Sequence, residues 1–221
     1  DHSRLRGGDA ASPGAALANA PDDSPPTRVG SRVLDKGPPP KPKPPVPHRL
    51  SMVPSTNDDP SVVLMNKKKM KQLDLFEADT VLLKGRFGMQ TVGVVMAAKG
   101  LPADQVGLSP TTARNAGCRS EGDRVKVYAC PDIRAGTRVQ VLPFEDTVRN
   151  FDGDLAADLL EPYFRDNFRP VAEGDVIRVV DESTGNTVEC LVVETEPENY
   201  CTVAPETVVD VEGEPLPRSA D

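Results

Sequence analysis

Phe76-Glu-Ala-Asp-Thr-Val-Leu-Leu-Lys-Gly85 asks for two different structures within ten residues. Upstream of it and into it, Met70, Leu73 and Phe76 recur at every third position, which suits one short helical turn with an apolar edge. Downstream, residues 80–83 are β-branched and apolar, which suits a buried strand. Asp79 stands at the junction, where its carboxylate can accept backbone N–H groups as the chain tightens into the strand, an Asx-type turn. The junction returns at Gly122-Asp123-Arg124-Val125 and at Gly174-Asp175-Val176-Ile177, each time ahead of a strand-like run. A turn-then-strand unit used three times predicts an all-β barrel architecture with internal symmetry.

Outward from this unit, residues 61–65 read as a first strand and 91–96 as a second, joined to the opening one through Gly85-Arg-Phe-Gly88 as a hairpin-like turn. Residues 99–121 are rich in Gly, Ser and Ala and read mainly as loop. Residues 125–130 form another strand, and Cys130-Pro-Asp-Ile-Arg-Ala-Gly136 marks a boundary between two lobes, since proline stops a ladder and glycine permits a turn. The second lobe opens with a strand at 137–142. One helix is expected over 154–168, with Leu155, Leu159, Leu160, Tyr163 and Phe164 on its apolar stripe and Pro162 kinking or ending it. Residues 176–180 and 187–193 predict a hairpin over 181–186, and 200–203 with 207–211 a last strand pair.

The chain has 221 residues, 23 prolines, no tryptophan and a formal charge of −8. Residues 1–50 carry +3, so residues 51–221 carry −11, a poor match for a phosphate backbone, and nucleic-acid binding is not expected. Lys67-Lys-Lys69 with Lys71 reads as a solvated helix face. No apolar run reaches the ~18 residues of a membrane span, and a first residue of Asp rather than Met predicts a piece of a longer chain. Residues 1–57 hold 12 of the prolines, including Pro38-Pro-Pro-Lys-Pro-Lys-Pro-Pro-Val-Pro47, and read as a disordered leader with a polyproline II stretch. Cys118, Cys130, Cys190 and Cys201 form no Cys-x-x-Cys pair, and both histidines, His2 and His48, lie in the leader, so neither zinc nor a Ser/Cys–His nucleophile is expected. Gly85-Arg-Phe-Gly88 lacks the Lys-Ser/Thr ending of a nucleotide loop, and Asp79-Thr80 is followed by Val81 rather than the Gly of an aspartic protease. Binding is the better reading, and a cleft between two lobes is where partners usually dock.

Asp79-Thr-Val-Leu-Leu-Lys-Gly85, Cys130-Pro-Asp132, Val141-Leu-Pro143, Asp146-Thr-Val148, Pro162-Tyr-Phe164, Phe168-Arg-Pro170 and Gly174-Asp175 resemble, in this order and spacing, the amino-terminal domain of the valosin-containing-protein family, the transitional endoplasmic reticulum ATPases. Val192-Val-Glu-Thr195, Tyr200-Cys201, Val203-Ala-Pro205, Thr207-Val208 and Glu212-Gly-Glu-Pro215 extend the match, which covers roughly residues 58–218. The resemblance implies a mainly β fold: a six-stranded double-psi barrel lobe over 58–132, a smaller four-stranded β-barrel lobe over 137–213, and a linker at 214–221 toward an ATPase module. It implies a non-catalytic piece of a hexameric AAA+ unfoldase, with no cofactor of its own and with ATP and Mg in the full-length protein. The alternative is the substrate-binding domain of a related double-psi ATPase or of a ubiquitin-binding adaptor.

Carried across by position, the resemblance implies a partner-binding cleft lined by Asp59, Val62, Phe76, Asp79, Val94, Met96, Ala135 and Phe168. Val94 and Met96 share a strand face by period two independently of any family. Val62, Val94, Met96 and Phe76 would receive an apolar anchor, Asp59 an incoming arginine, and Phe168 would stack beneath that guanidinium. The implied partners are UBX-type and Arg-helix adaptors, the ubiquitin-fusion-degradation/nuclear-protein-localisation adaptor pair, and the protein's own ATPase ring, docked through Arg218. The family usually has a basic residue at Glu77, tyrosines at Ala135 and Phe168, and ring-facing arginines at Cys118, Ser120 and Val180, so this chain departs at six positions that touch partner choice and docking. The implied compartment is cytoplasmic or nuclear, with a plastid-associated compartment as the alternative suggested by the Ala/Ser/Pro leader.

Overall fold

The computed structural model describes residues 48–57, 59–165 and 167–218; the proline-rich stretch 38–47 lies outside them. Six strands, β1 (Arg49–Pro54), β2 (Val62–Met65), β3 (Thr80–Lys84), β4 (Gln90–Ala97), β5 (Gln105–Leu108) and β6 (Arg124–Ala129), close into a barrel in the order β1-β5-β2-β4-β3-β6. The pairs β1–β5 and β2–β4 are parallel and the others antiparallel. Alternation puts Val63, Met65, Val81, Leu83, Val95, Val106, Val125 and Val127 inside, all essentially inaccessible to solvent. Each such side chain contributes about 1.5–3 kcal/mol of burial.

The three Asp junctions are one turn built three times. Asp79 Oδ2 accepts from the Phe76 N–H, Asp123 Oδ2 from Ser120 N–H and Asp175 Oδ2 from Ala172 N–H, in each case three residues back, at 2.8, 3.2 and 2.9 Å. Each junction is also clasped to a strand by two backbone bonds. The residue before the Asp donates to the carbonyl of Val95, Met52 or Val192, and that same residue donates to the Asp carbonyl. The residue before the Asp takes a left-handed φ, which suits Gly122 (87°) and Gly174 (86°) and costs Ala78 (70°).

The barrel begins at Arg49 rather than at residue 58. β1 lies inside the stretch that composition assigns to the leader, with Leu50 and Met52 pointing inward and Pro54 at the strand end, where it is tolerated. Residues 99–121 are not mainly loop either. They supply β5, sandwiched between β1 and β2, and helix α2 (Pro110–Asn115), whose Ser109 cap accepts from Thr112 N–H and whose first-turn proline is pre-set for a helix. Upstream, α1 (Lys67–Gln72) is the expected short helix, capped by Asn66.

In the second lobe, β7 (Arg138–Pro143), β9 (Val176–Val180), β10 (Thr187–Glu196) and β12 (Val208–Asp210) form a four-stranded sheet in the order β12-β7-β10-β9. A separate pair joins β8 (Arg169–Ala172) to β11 (Tyr200–Val203). The mainly β fold, a closed six-stranded double-psi-type barrel followed by a smaller β lobe, is therefore what the protein has. The last two strands do not pair with each other, however. β11 turns to β8, and β12 runs parallel to β7. The expected helix over 154–168 is a π-helical turn, Leu155–Leu160, running into α4 (Glu161–Phe164). Pro162 sits in the first turn of α4, where its missing N–H costs nothing, and the helix stops at Phe164 because Arg165 is already extended. A further short turn, α3 (Glu145–Val148), follows β7.

Candidate functional site

Barrel and second lobe meet through side chains whose types would not advertise their partners. Arg169, at the start of β8, reaches across to Asp59 Oδ1 (2.6 Å) and Ser61 Oγ (2.9 Å), while its Nε donates to the Tyr163 carbonyl and its guanidinium lies 4.3 Å over the Tyr163 ring. Asn115 on α2 pairs with the backbone of Val176 in both directions, at 3.0 and 3.1 Å. Thr91 on β4 donates to Asp175 Oδ2 at 2.9 Å. Asp175 is nearly inaccessible, its Oδ1 has no hydrogen-bond partner, and burial pushes its carboxyl up to about 7 against the opposing pull of the Ala172 and Thr91 donors.

Register groups the expected apolar wall. Val94 is the Cα partner of Val62 on one side and of Thr80 on the other, and Met96 partners Leu64, so Val62, Leu64, Val94, Met96 and Thr80 form one outward patch across β2, β4 and β3. Inward-facing Val63 and Val95 are buried while Met96 is 39 % exposed. Asp59 is tied to this patch by its carbonyl, which accepts from Val62 N–H. Phe168, 66 % exposed, immediately precedes the Arg169 that Asp59 holds. Ala135 bridges to Thr202, which pairs with Pro170 on β8. The same connecting segment reaches the barrel where Cys130 N–H donates to the Thr80 carbonyl. The wall, the 130–136 segment and the β8–β11 pair thus outline a cleft between the lobes.

Two expected members sit differently. Phe76, 72 % exposed, shares a cavity of about 490 Å³ with Met70, Leu75 and Ala97, on the α1 side of the wall. Asp79 is spent on its turn, accepting from Phe76 N–H. Asp59 already holds an arginine of its own chain. Arg218 lies between Asp146 and Glu189, both at 2.9 Å, and over the Phe144 ring at 4.6 Å, while Leu216 exchanges backbone bonds with Pro143 and Glu145. Residues 214–218 are therefore packed on the second lobe instead of running free as a linker. Leu64 and Arg169 were missed from the expected lining. Leu64 follows from the same period-two rule as Val94 and Met96, whereas no local signal marks Arg169.

The chemistry available is recognition. Burial raises the Cys118 and Cys201 thiols to about 11 and the Cys190 thiol to about 12, which keeps them protonated and poorly nucleophilic. Among the described residues no three His, Cys, Asp or Glu side chains group to hold a metal ion, and no helix is long and apolar enough to cross a membrane.

The fold and cleft define a class: a two-lobed β domain in which a double-psi-type barrel is joined to a smaller β lobe. Residues 150–216 match the family described as Cell division protein 48 (CDC48), domain 2, and with the barrel ahead of that segment the chain belongs to the CDC48 type of AAA+ amino-terminal domain. The catalytic work of such proteins is not done by this domain.

Proposed function

We infer that this domain recruits ubiquitin-pathway adaptors to an AAA+ segregase ring by taking an apolar adaptor element into the cleft between the lobes. The observation that carries the reading is the outward patch of Val62, Leu64, Val94 and Met96 beside exposed Phe168. An apolar patch of this kind, rimmed by the Asp59–Arg169 pair, is suited to a partner's anchor residue. UBX-type loops and Arg-bearing helices fit such a site, the first by burying an aromatic or proline against Met96 and the second by sharing the Asp59 carboxylate. The ring would supply ATP- and Mg-dependent unfolding, and the adaptors the ubiquitin-linked cargo. Calorimetric titration with a UBX domain tests it: Met96→Asp is expected to abolish binding, and Phe76→Ala to weaken it about 30-fold, the equivalent of ~2 kcal/mol, with thermal melting unchanged in both. Wild-type affinity in both variants removes the cleft from the reading.

A further inference from the structure

The outward face where β1, β6 and β3 run side by side carries the opposite sign to the rest of the domain. Arg49 and Lys84 are both direct register partners of Lys126, so three cations lie abreast on adjacent strands, and Arg124 lies two positions away on the same face of β6. Like charges directly opposite one another weaken a sheet. Among the described residues none of these four has an ion-pair partner. With Arg86 they line a cavity of about 650 Å³ whose one carboxylate, Asp123, faces Arg86 at 3.4 Å and accepts from Arg119 and Ser120 N–H groups.

Beside the cavity stands an aromatic tip. Phe87, between β3 and β4, is 78 % exposed and held at φ 57°, with the Arg86 and Arg119 guanidiniums 5.7 and 5.6 Å from its ring; Met89, 41 % exposed, follows. The tip is anchored at Gly85, where a Cβ would fall 1.6 Å from the Ala116 carbonyl oxygen. Such a tip gains nothing from folding, since an exposed Phe in a left-handed conformation both wets apolar surface and strains the backbone.

We propose that this face docks onto a membrane surface carrying anionic phospholipids, with the cation row on the headgroup phosphates and Phe87 and Met89 entering the acyl boundary. Shallow apolar insertion and positive charge are the two contributions that together hold a protein on such a surface. A polypeptide partner is a poorer fit, because the closed barrel leaves no unpaired strand edge for a peptide to extend. The face is distinct from the cleft: Lys84 lies four positions along β3 from Thr80, about 13 Å at the rise of a strand. It stands whether or not adaptors use the cleft.

The test is co-sedimentation of the full chain with phosphatidylcholine vesicles, with and without phosphatidylserine. Binding is expected only to the anionic vesicles and to be lost on adding salt. Each neutralised cation should cost about fivefold, so Lys84→Gln/Lys126→Gln lowers partitioning roughly 20-fold or more while melting no lower than the wild type. Phe87→Ser weakens it as well. Absence of binding, retained binding by the double variant, or an equal loss in Lys67→Gln/Lys71→Gln on α1 overturns the proposal. Capture of a poly-glutamate peptide with no vesicle binding assigns the face to an acidic polypeptide and overturns it too.

Discussion

Arg169 Nη1 and Asp59 Oδ1 lie 2.6 Å apart, although 110 residues separate them in the chain. Arg169 is the buried partner, with a side chain 14 % exposed, and it also satisfies Ser61 and the Tyr163 carbonyl. Removing it leaves an acceptor on each lobe without its donor, so Arg169→Ala is expected to cost about 2 kcal/mol. For a folded unit of this size that lowers the melting temperature by about 4–8 °C. Asp59→Asn, at the more exposed end, should cost less than half as much. Differential scanning calorimetry on the two variants checks the ordering, and equal losses would mean that the ion pair, rather than the packing of Arg169 on Tyr163, carries the junction.

Asp175 makes stability depend on pH. Its folded-state pKa of about 7 lies above the ordinary 3.8, so as pH rises the unfolded chain releases this proton first. The contribution is complete below about pH 4 and is lost as pH climbs through 7, an effect on the order of 4 kcal/mol at most. Asp175→Asn keeps an acceptor for Thr91 and Ala172 but cannot ionise. Urea unfolding of both proteins between pH 4.5 and 8 should show their difference growing in favour of the variant with pH. A pH-independent difference would place an ionised carboxylate in the native state throughout.

The repeated Asp turn makes a cleaner comparison, because only the residue before the Asp differs. Ala78→Gly relieves a left-handed alanine and is expected to leave stability equal or raised by up to about 1 kcal/mol. Gly122→Ala and Gly174→Ala should each cost about 1–2 kcal/mol from the backbone alone, since a Cβ at either place meets nothing within 4 Å. Thermal melts of the three variants check the signs.

What the amino-acid sequence makes legible here is what depends on neighbours in the chain. Val94 and Met96 fall on one face by a period of two, and Gly122-Asp123 and Gly174-Asp175 announce the turn they make. β1 hides because its six residues end a proline-rich stretch and gain their stability from β5 and β6, far along the chain. β5, Gln-Val-Gly-Leu, hides because four residues of parallel pairing carry almost no periodic signal. Arg169, Thr91 and Asn115 hide for a stronger reason: each finds its partner between 61 and 110 residues away, and nothing local distinguishes a side chain that will cross between lobes from one that will meet water.

Ala135 and Phe168 offer the sharpest test of the cleft, because both stand where the resembling family usually has tyrosine and both can be enlarged without touching the core. Ala135 bridges to Thr202 at the cleft floor, and Phe168 is mostly exposed. Adding a ring and hydroxyl at the first and a hydroxyl at the second supplies donors for a partner's backbone at about 1 kcal/mol each. Ala135→Tyr/Phe168→Tyr is therefore expected to tighten UBX-domain binding roughly tenfold or more, with the gain lost again when Met96→Asp is added. Gain that survives Met96→Asp would put the contact outside the cleft, and no gain at all would mean that the partners of this chain dock without those hydroxyls.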